Sequence, residues 1–346
     1  MISVAVERTP GEIRAAAFTE NGTAISLFQG RDKLIDPRPD FDDVLHAVIR
    51  KVDKSTGSLF LDTDDGIEVF ANLKAGERAP AIGEHVNVRV RSEAHSDKLA
   101  RVAVTTDEPI RSTPEARLEA WMSSLAERCG KPEKITDTEA AFLIDEAFEI
   151  AESSSVTLKG GGQLHIDHAR ALTAVDVDSS GRKTAGSRRD INLDAVTTLA
   201  AQVSLRRLGG IVVMDLLGAS DMAESKSLQQ AFRKTLSMFD GRRANILPVN
   251  RLGLFEFSLP RQQRMISSGP HASNGPTDRL VTFLRDVSRS LRADRGKTLS
   301  CQVSRALHQQ LSTTSYDWKL ALTQEFGGRF RVSEDDALDG TSYVIG

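Results

Sequence analysis

Leu172-Thr173-Ala174-Val175-Asp176-Val177-Asp178 is the stretch on which the reading of this chain turns. A strand-forming run leads into two carboxylates at alternate positions, and side chains two apart on a strand leave it on the same face. A second apolar run, Ile211-Val212-Val213-Met214, also ends in an aspartate, Asp215. Carboxyl ends of core strands are where open α/β sheets keep their ligands. Three carboxylates gathered there repel one another and lose hydration, which costs several kcal/mol unless a cation compensates. Mg²⁺ is the expected cation, with Mn²⁺ as a substitute, because it takes hard oxygen ligands, binds through one or two carboxylates and keeps waters or phosphate in its other positions. Such a site suits phosphodiester chemistry. Each aspartate alone reads more simply as a helix or turn cap, and it is the set of three at strand ends that favours a site.

Outward from this stretch, the order from Ala171 is strand, loop, helix, strand, helix, strand, the alternation of an α/β domain. The segment from Gly210 to Leu217 is so apolar that it predicts a central strand covered on both faces. Before it, Lys159-Gly160-Gly161-Gly162 predicts a plain turn between two strands, since no helix start with Lys-Ser/Thr follows to make a phosphate cradle. Thr113-Pro114-Glu115 and Thr136-x-x-Glu139 each start a helix. Trp121, Met122 and Leu125, then Leu143, Ile144 and Ala147, are spaced to bury one face of each. From Ile2 to Gln29 the chain predicts a β-meander turning at Pro10-Gly11 and Asn21-Gly22. Asp36-Pro37-Arg38-Pro39-Asp40 reads as a linker. Several short strands between Val44 and Thr105, with strict alternation from Val86 to Arg91, suggest a small barrel of OB type. Residues 261–276, rich in Ser, Gly, Pro and Gln, predict a second linker, and Thr277 to Gly346 a small terminal domain of helix and strand.

The 346 residues predict about two or three domains. With 40% hydrophobic and 27% charged residues, wholesale disorder is excluded. No apolar run approaches the roughly 20 residues of a membrane helix. Met1 to Pro10 lacks the features of a signal peptide, so a cytoplasmic location is expected. Cys129 and Cys301 form no CxxC pair, which argues against a disulfide framework and against zinc. A net charge of -3 excludes a protein that coats nucleic acid by bulk electrostatics. Any such contact must be local, and the basic pairs Arg182-Lys183, Arg188-Arg189, Arg206-Arg207, Arg233-Lys234 and Arg242-Arg243 are candidates to line one surface. His165-x-x-His168 is a weak metal pair without a third ligand. Asp221 with Ser220 predicts a helix cap.

Residues 156–167 (VTLKGGGQLHID) followed by 171–179 (ALTAVDVDS) resemble the entry to the catalytic domain of the ribonuclease E/G family. Residues 191–195 (INLDA), 205–215 (LRRLGGIVVMD) and 250–257 (NRLGLFEF) continue in register. The resemblance implies an α+β and α/β multidomain fold. A ribonuclease H-like subdomain (1–36 and 110–170) would hold an inserted OB-type RNA-binding barrel (40–106), followed by an α/β nuclease core (171–260), a linker (261–276) and a small terminal domain (277–346). It implies a magnesium-dependent endoribonuclease acting in RNA processing or decay, cutting single-stranded RNA to leave 5′-phosphate and 3′-hydroxyl ends. The family's two magnesium-binding aspartates fall on Asp176 and Asp215, and Asp178, expected as a catalytic residue that orients water or the metal, stands where the family has asparagine and adds a charge. Phe60 and Phe70 fall on its RNA-stacking aromatics and Lys98 near its RNA-contacting lysine. Arg182, Lys183, Arg188 and Arg189 keep the charge of its basic loop, and Arg251 is counted with the RNA contacts.

The departures carry expectations too. Gly218 stands where the family has a second aspartate, and the loop from Ser180 to Asp190 is shortened. The region between barrel and Val156 is too short for the family's 5′-end sensor, which predicts cutting that does not depend on a 5′ monophosphate. Residues 261–276 lack the zinc-linking CxxC, so a zinc-linked tetramer is not expected and a homodimer stays open. Two rivals remain. A strand ending in Asp-x-Asp-Ser also fits an aspartyl-nucleophile phosphatase, with Asp176 as nucleophile, Asp178 as acid/base and Asp335-Asp336 holding magnesium. Gly218 and the short loop also fit an RNA-binding regulator without turnover.

Overall fold

A computed structural model describes residues 2–73, 80–95, 98–135, 138–181, 187–218, 221–266 and 276–346. The chain opens as a meander, β1 (Ile2–Thr9), β2 (Glu12–Thr19) and β3 (Ala24–Arg31), antiparallel throughout. It then enters a closed barrel of β4 (Val44–Asp53), β5 (Ser58–Thr63), β6 (Glu68–Asn72), β7 (His85–Ser92) and β8 (Ala100–Thr105), paired in the order β4-β5-β6-β8-β7. Closure leaves no free edge, and the alternating inward residues Leu59, Leu61, Val69, Ala71, Val88 and Val90 form its core.

Leaving the barrel, the chain forms α1 (Pro114–Cys129), capped by Thr113, β9 (Glu133–Ile135) and α2 (Thr138–Glu152). Thr136 of the expected capping box lies outside the described residues. β9 adds to the meander parallel to β1, and the two helices cover opposite faces. Leu118 and Leu125 of α1 pack with Val4, Ala15 and Ile25, while Ile144 and Ala147 of α2 pack with Ala5, Ala16 and Leu27.

A second sheet of six strands follows: β10 (Ser155–Thr157), β11 (Gln163–His168), β12 (Leu172–Asp178), β13 (Gly210–Asp215), β14 (Asn245–Ile246) and β15 (Leu254–Leu259), in the order β10-β11-β12-β13-β15-β14. α3 (Arg188–Leu205) makes the crossover between the parallel strands β12 and β13, and α4 (Met222–Phe239) follows β13. Residues 156–167, expected with the opening meander, instead hydrogen-bond into this sheet through β11 and β12.

The expectation that the strand from Gly210 would be covered on both faces fails. Val212 and Met214 are buried beneath α3 and α4, but Ile211, on the other face, is 52% exposed. Both helices lie on one side, so the sheet keeps an open face. The last unit holds α5 (Pro276–Ala293), β16 (Leu299–Val303), α6 (Arg305–Thr313), α7 (Trp318–Phe326), β17 (Phe330–Glu334) and β18 (Tyr343–Ile345), a three-stranded sheet with its own core.

The first linker and the described part of the second, residues 261–266, are packed, not free. Asp36, Asp40, Asp43 and Glu93 are buried. Asp40 pairs with Lys33 and Arg117 and lies 3.5 Å from Arg264. Glu93 accepts from the N–H groups of Phe41 and Arg264, both at 2.9 Å. Ile266 is buried beside α2 and donates to the Arg206 carbonyl at 2.9 Å. The polar composition that reads as a loose connection is here the ionic joint between barrel and body.

Candidate active site

β12 and β13 end side by side, and Asp176 stands opposite Asp215 in their parallel ladder. Neighbouring strands lie about 4.8 Å apart, so the two carboxylates rise together from adjacent positions on the open face. Both are exposed, between the buried pairs Val175/Val177 and Met214/Leu216. The row extends to His165 on β11, opposite Asp176, and to Leu254 on β15, opposite Asp215.

Asp178 is two positions further along the same face, roughly 6.6 Å from Asp176 by strand rise. Its carboxylate accepts from the Ser180 N–H at 2.8 Å and the Ser180 hydroxyl at 2.7 Å. Those two bonds, with the charge of His165 a lesser contributor, hold it below the ordinary carboxylate range. Among the described residues no group of three or more His, Cys, Asp and Glu side chains is placed to hold an ion. The expected trio is therefore a pair, with Asp178 turned to its own loop. The pair still fits a magnesium ion, since it offers hard oxygens from two carboxylates and leaves the other positions to water and phosphate. His165 and His168 point to opposite faces of β11, and His168 meets Thr173 at 3.1 Å, so they cannot chelate one ion.

The turn that precedes β11 is shaped around the site. Gly162 has φ +86°, and a Cβ there would meet the Asp178 carbonyl oxygen at 2.5 Å. The Gly160 N–H donates to Asp194 of α3 at 3.0 Å, so the glycine run is a turn tied to that helix. Past Asp215, the loop is held by a network that polarity patterns did not disclose. Asn192, fully buried in α3, accepts from the Leu217 N–H at 3.0 Å and donates to buried Glu224 at 3.3 Å. Arg188 donates to Glu224 at 2.6 Å and to the Leu217 carbonyl at 3.0 Å. Arg189 pairs with Asp221, which caps α4 by accepting from the Glu224 N–H at 2.8 Å.

Arg188 and Arg189 are thus engaged with protein, and Arg182 and Lys183 lie outside the described residues, as does Ser220. Of the other basic pairs, Arg206 and Arg242 brace the interior, while Arg233, Lys234 and Arg243 are exposed. Arg206 is buried on the Ser153 and Ile150 carbonyls, and Arg242 chelates Asp240. Arg251 is exposed on the turn from Asn250 to Gly253, which packs against Gly218 and leads into Leu254 beside Asp215. Gly218 has φ +67°.

On the barrel, Phe60 and Phe70 sit opposite each other on β5 and β6, half exposed on the outer surface, with ring centroids 5.6 Å apart and edge to face. They are not core residues. Lys98 is exposed on the turn into β8. Asp335 and Asp336 follow β17 in the terminal unit, where Asp336 faces Arg305 at 3.7 Å. The phosphatase's metal pair is thus in a different sheet from Asp176. No helix among the described residues is long and apolar enough to cross a membrane.

Residues 77–263 match the ribonuclease E/G family. The chain is 31% identical over 134 residues to ribonuclease E of Buchnera aphidicola subsp. Acyrthosiphon pisum, covering 38% of this chain and 15% of that protein. To ribonuclease E of Escherichia coli K12 it is 29% identical over 134 residues, 38% of this chain and 12% of the relative. To ribonuclease G of the same organism it is 29% identical over 185 residues, 51% of this chain and 37% of the relative. The chain matches well under half of the length of each.

Proposed function

The chain belongs to the ribonuclease E/G family, and on that premise we propose that it is an endoribonuclease that hydrolyses single-stranded RNA in RNA processing or decay in the cytoplasm. The observation that carries this reading is the placement of Asp176 opposite Asp215 at the ends of adjacent parallel strands, on a sheet face that no helix among the described residues covers. An uncovered face accepts a polymer lying across it. Asp176 and Asp215 would hold Mg²⁺, which would polarise the scissile phosphate, lower the pKa of a water and offset transition-state charge. Hydrolysis then leaves 5′-phosphate and 3′-hydroxyl ends.

Each remaining residue has a task that its surroundings support. Asn192, Glu224 and Arg188 fix the loop after β13 and with it the position of Asp215. Ser180 fixes Asp178, which leaves that carboxylate to shape the field beside the site. Arg251 faces solvent next to Leu254, in reach of a strand crossing the face. The barrel, of OB type in this reading, grips the RNA through Phe60 and Phe70, since stacking on exposed rings contributes roughly 1 to 3 kcal/mol per base and tolerates sequence. Residues 110–152 are spent on α1, β9 and α2, which supports cutting without a 5′-end sensor.

The test is incubation of end-labelled single-stranded RNA, carrying a 5′ triphosphate or a 5′ monophosphate, with wild type, Asp176→Asn and Asp215→Asn, with and without Mg²⁺. The expected outcome is internal cutting that needs Mg²⁺ and both aspartates and proceeds at similar rates on both RNAs. A strong monophosphate preference would remove only the sensor claim. Binding without any cutting by wild type would replace the nuclease with the RNA-binding regulator.

A further inference from the structure

The outer surface of the barrel carries one continuous row across four strands. Lys51 of β4 stands opposite Phe60 of β5, Phe60 opposite Phe70 of β6, and Phe70 opposite Arg101 of β8. The Lys51 Nζ lies 5.5 Å from the Phe60 ring centroid. Lys51 and Arg101 are exposed, and neither forms an ion pair among the described residues. Three strand spacings of about 4.8 Å separate the ends of the row by roughly 14 Å. Two stacking rings are therefore flanked on both sides by free cations, at right angles to the strands.

The adjoining rows both carry carboxylates. On one side Asp62 stands opposite Glu68, with Asp62 bonded to Arg50 at 2.7 Å. On the other side buried Ser58 stands between Asn72 and Asp53 of β4. Phosphates are therefore favoured along the row of the rings itself, where the two cations stand.

We propose that Lys51 and Arg101 are backbone clamps that fix the register of single-stranded RNA on the barrel, each taking a phosphate at one end of a two-base stack on Phe60 and Phe70. The strand runs across the sheet direction, along the row from Lys51 to Arg101. This rests on the reading of the barrel as the RNA grip and adds its direction and two residues. The rings hold bases whatever their identity, and the cations decide where the backbone enters and leaves.

The test is fluorescence anisotropy of a labelled oligouridylate with the full chain in EDTA, over a series of salt concentrations. Lys51→Gln and Arg101→Gln should each weaken binding and reduce the slope of log Kd against log salt by about 0.7, the value for one phosphate contact to a single strand. Phe60→Leu should weaken binding about five-fold or more with the slope unchanged. Lys51→Arg should restore the slope. Lys54→Gln, an exposed lysine in the following turn, should leave it alone. All these positions face solvent, so folding is not at stake. Slopes unchanged in Lys51→Gln and Arg101→Gln, with Phe60→Leu still weakened, would overturn the clamps and leave the aromatic grip standing. Binding indifferent to Phe60→Leu, or absent in wild type, would overturn the barrel reading and the clamps together.

Discussion

At Asp178 the family resemblance and the structure pull apart, and the side chain's own bonds decide between them. An extra carboxylate beside two others should weaken a site unless it is engaged elsewhere, and here Ser180 takes both of its oxygens. An asparagine keeps one carbonyl oxygen to accept from Ser180, so Asp178→Asn should preserve the turn and change the cleavage rate by less than roughly ten-fold. Asp176→Asn, which removes a carboxylate with no substitute, should cost roughly 10²-fold or more, the scale on which a single transition-state electrostatic contact acts. Equal losses in single-turnover cleavage would place Asp178 in the ion's coordination. Gly162 offers a second test at this scale. Alanine there meets both a positive φ and a backbone oxygen at 2.5 Å, so Gly162→Ala should lower stability by about 1 to 3 kcal/mol in urea unfolding. It should also reduce cleavage, because the chain that must yield is the end of β12.

The loop between β13 and α4 is an element whose order depends on a helix far from it in sequence. Asn192 accepts from the Leu217 N–H, so Asn192→Ala strands that donor, while Arg188 still holds the Leu217 carbonyl and Glu224. That should cost about 1 to 3 kcal/mol, and it should depress kcat more than RNA affinity, since the site moves while the barrel does not. A loss confined to affinity would refute this. Strand ends were legible in the sequence because Asp176 and Asp215 interrupt apolar runs, and the meander, the barrel strands and the terminal unit were legible from alternation and turns. Asn192 and Glu224 were not, because a polar residue on a helix looks the same in solvent as in a buried network. The open face of the second sheet was hidden for the opposite reason: Ile211 is apolar yet exposed, so composition alone suggested cover on both sides. The stretch from Asp36 to Asp40 reads as a linker because Pro and Asp avoid regular structure. Its aspartates are buried because neighbouring Lys33 and, from far along the chain, Arg117 and Arg264 converge to neutralise them.

Across the whole molecule, the terminal unit is joined to the opening sheet by buried charge. Arg285 and Arg31 both reach Glu12, Arg31 also meets Asp278 at 2.5 Å, and Arg289 forks onto Glu7 and continues to Asp145 at 2.6 Å. Burial pushes the Glu12 carboxyl up, but Arg285, Arg31 and Arg14 outweigh it and hold it at about 2 against an ordinary 4.5. A carboxyl depressed in the folded state binds fewer protons there than when unfolded, so its contribution is complete above pH 4.5 and is lost as pH falls from there toward 2. The size is on the order of 3 kcal/mol. Asp36, also held at about 2 with Arg38 and Arg264 beside it, acts with the same sign at the barrel joint. Glu12→Gln leaves Arg285 and Arg31 without their shared anion, so at neutral pH it should destabilise by about 3 to 5 kcal/mol. Its unfolding free energy should then fall less steeply than that of wild type between pH 4.5 and the acid limit, and the two curves should converge. Because Glu12 is buried, added salt should move the wild-type curve little. Urea unfolding across that pH range decides the matter: parallel curves would mean that Glu12 keeps an ordinary pKa and that apolar packing, not the ion network, holds the terminal unit in place.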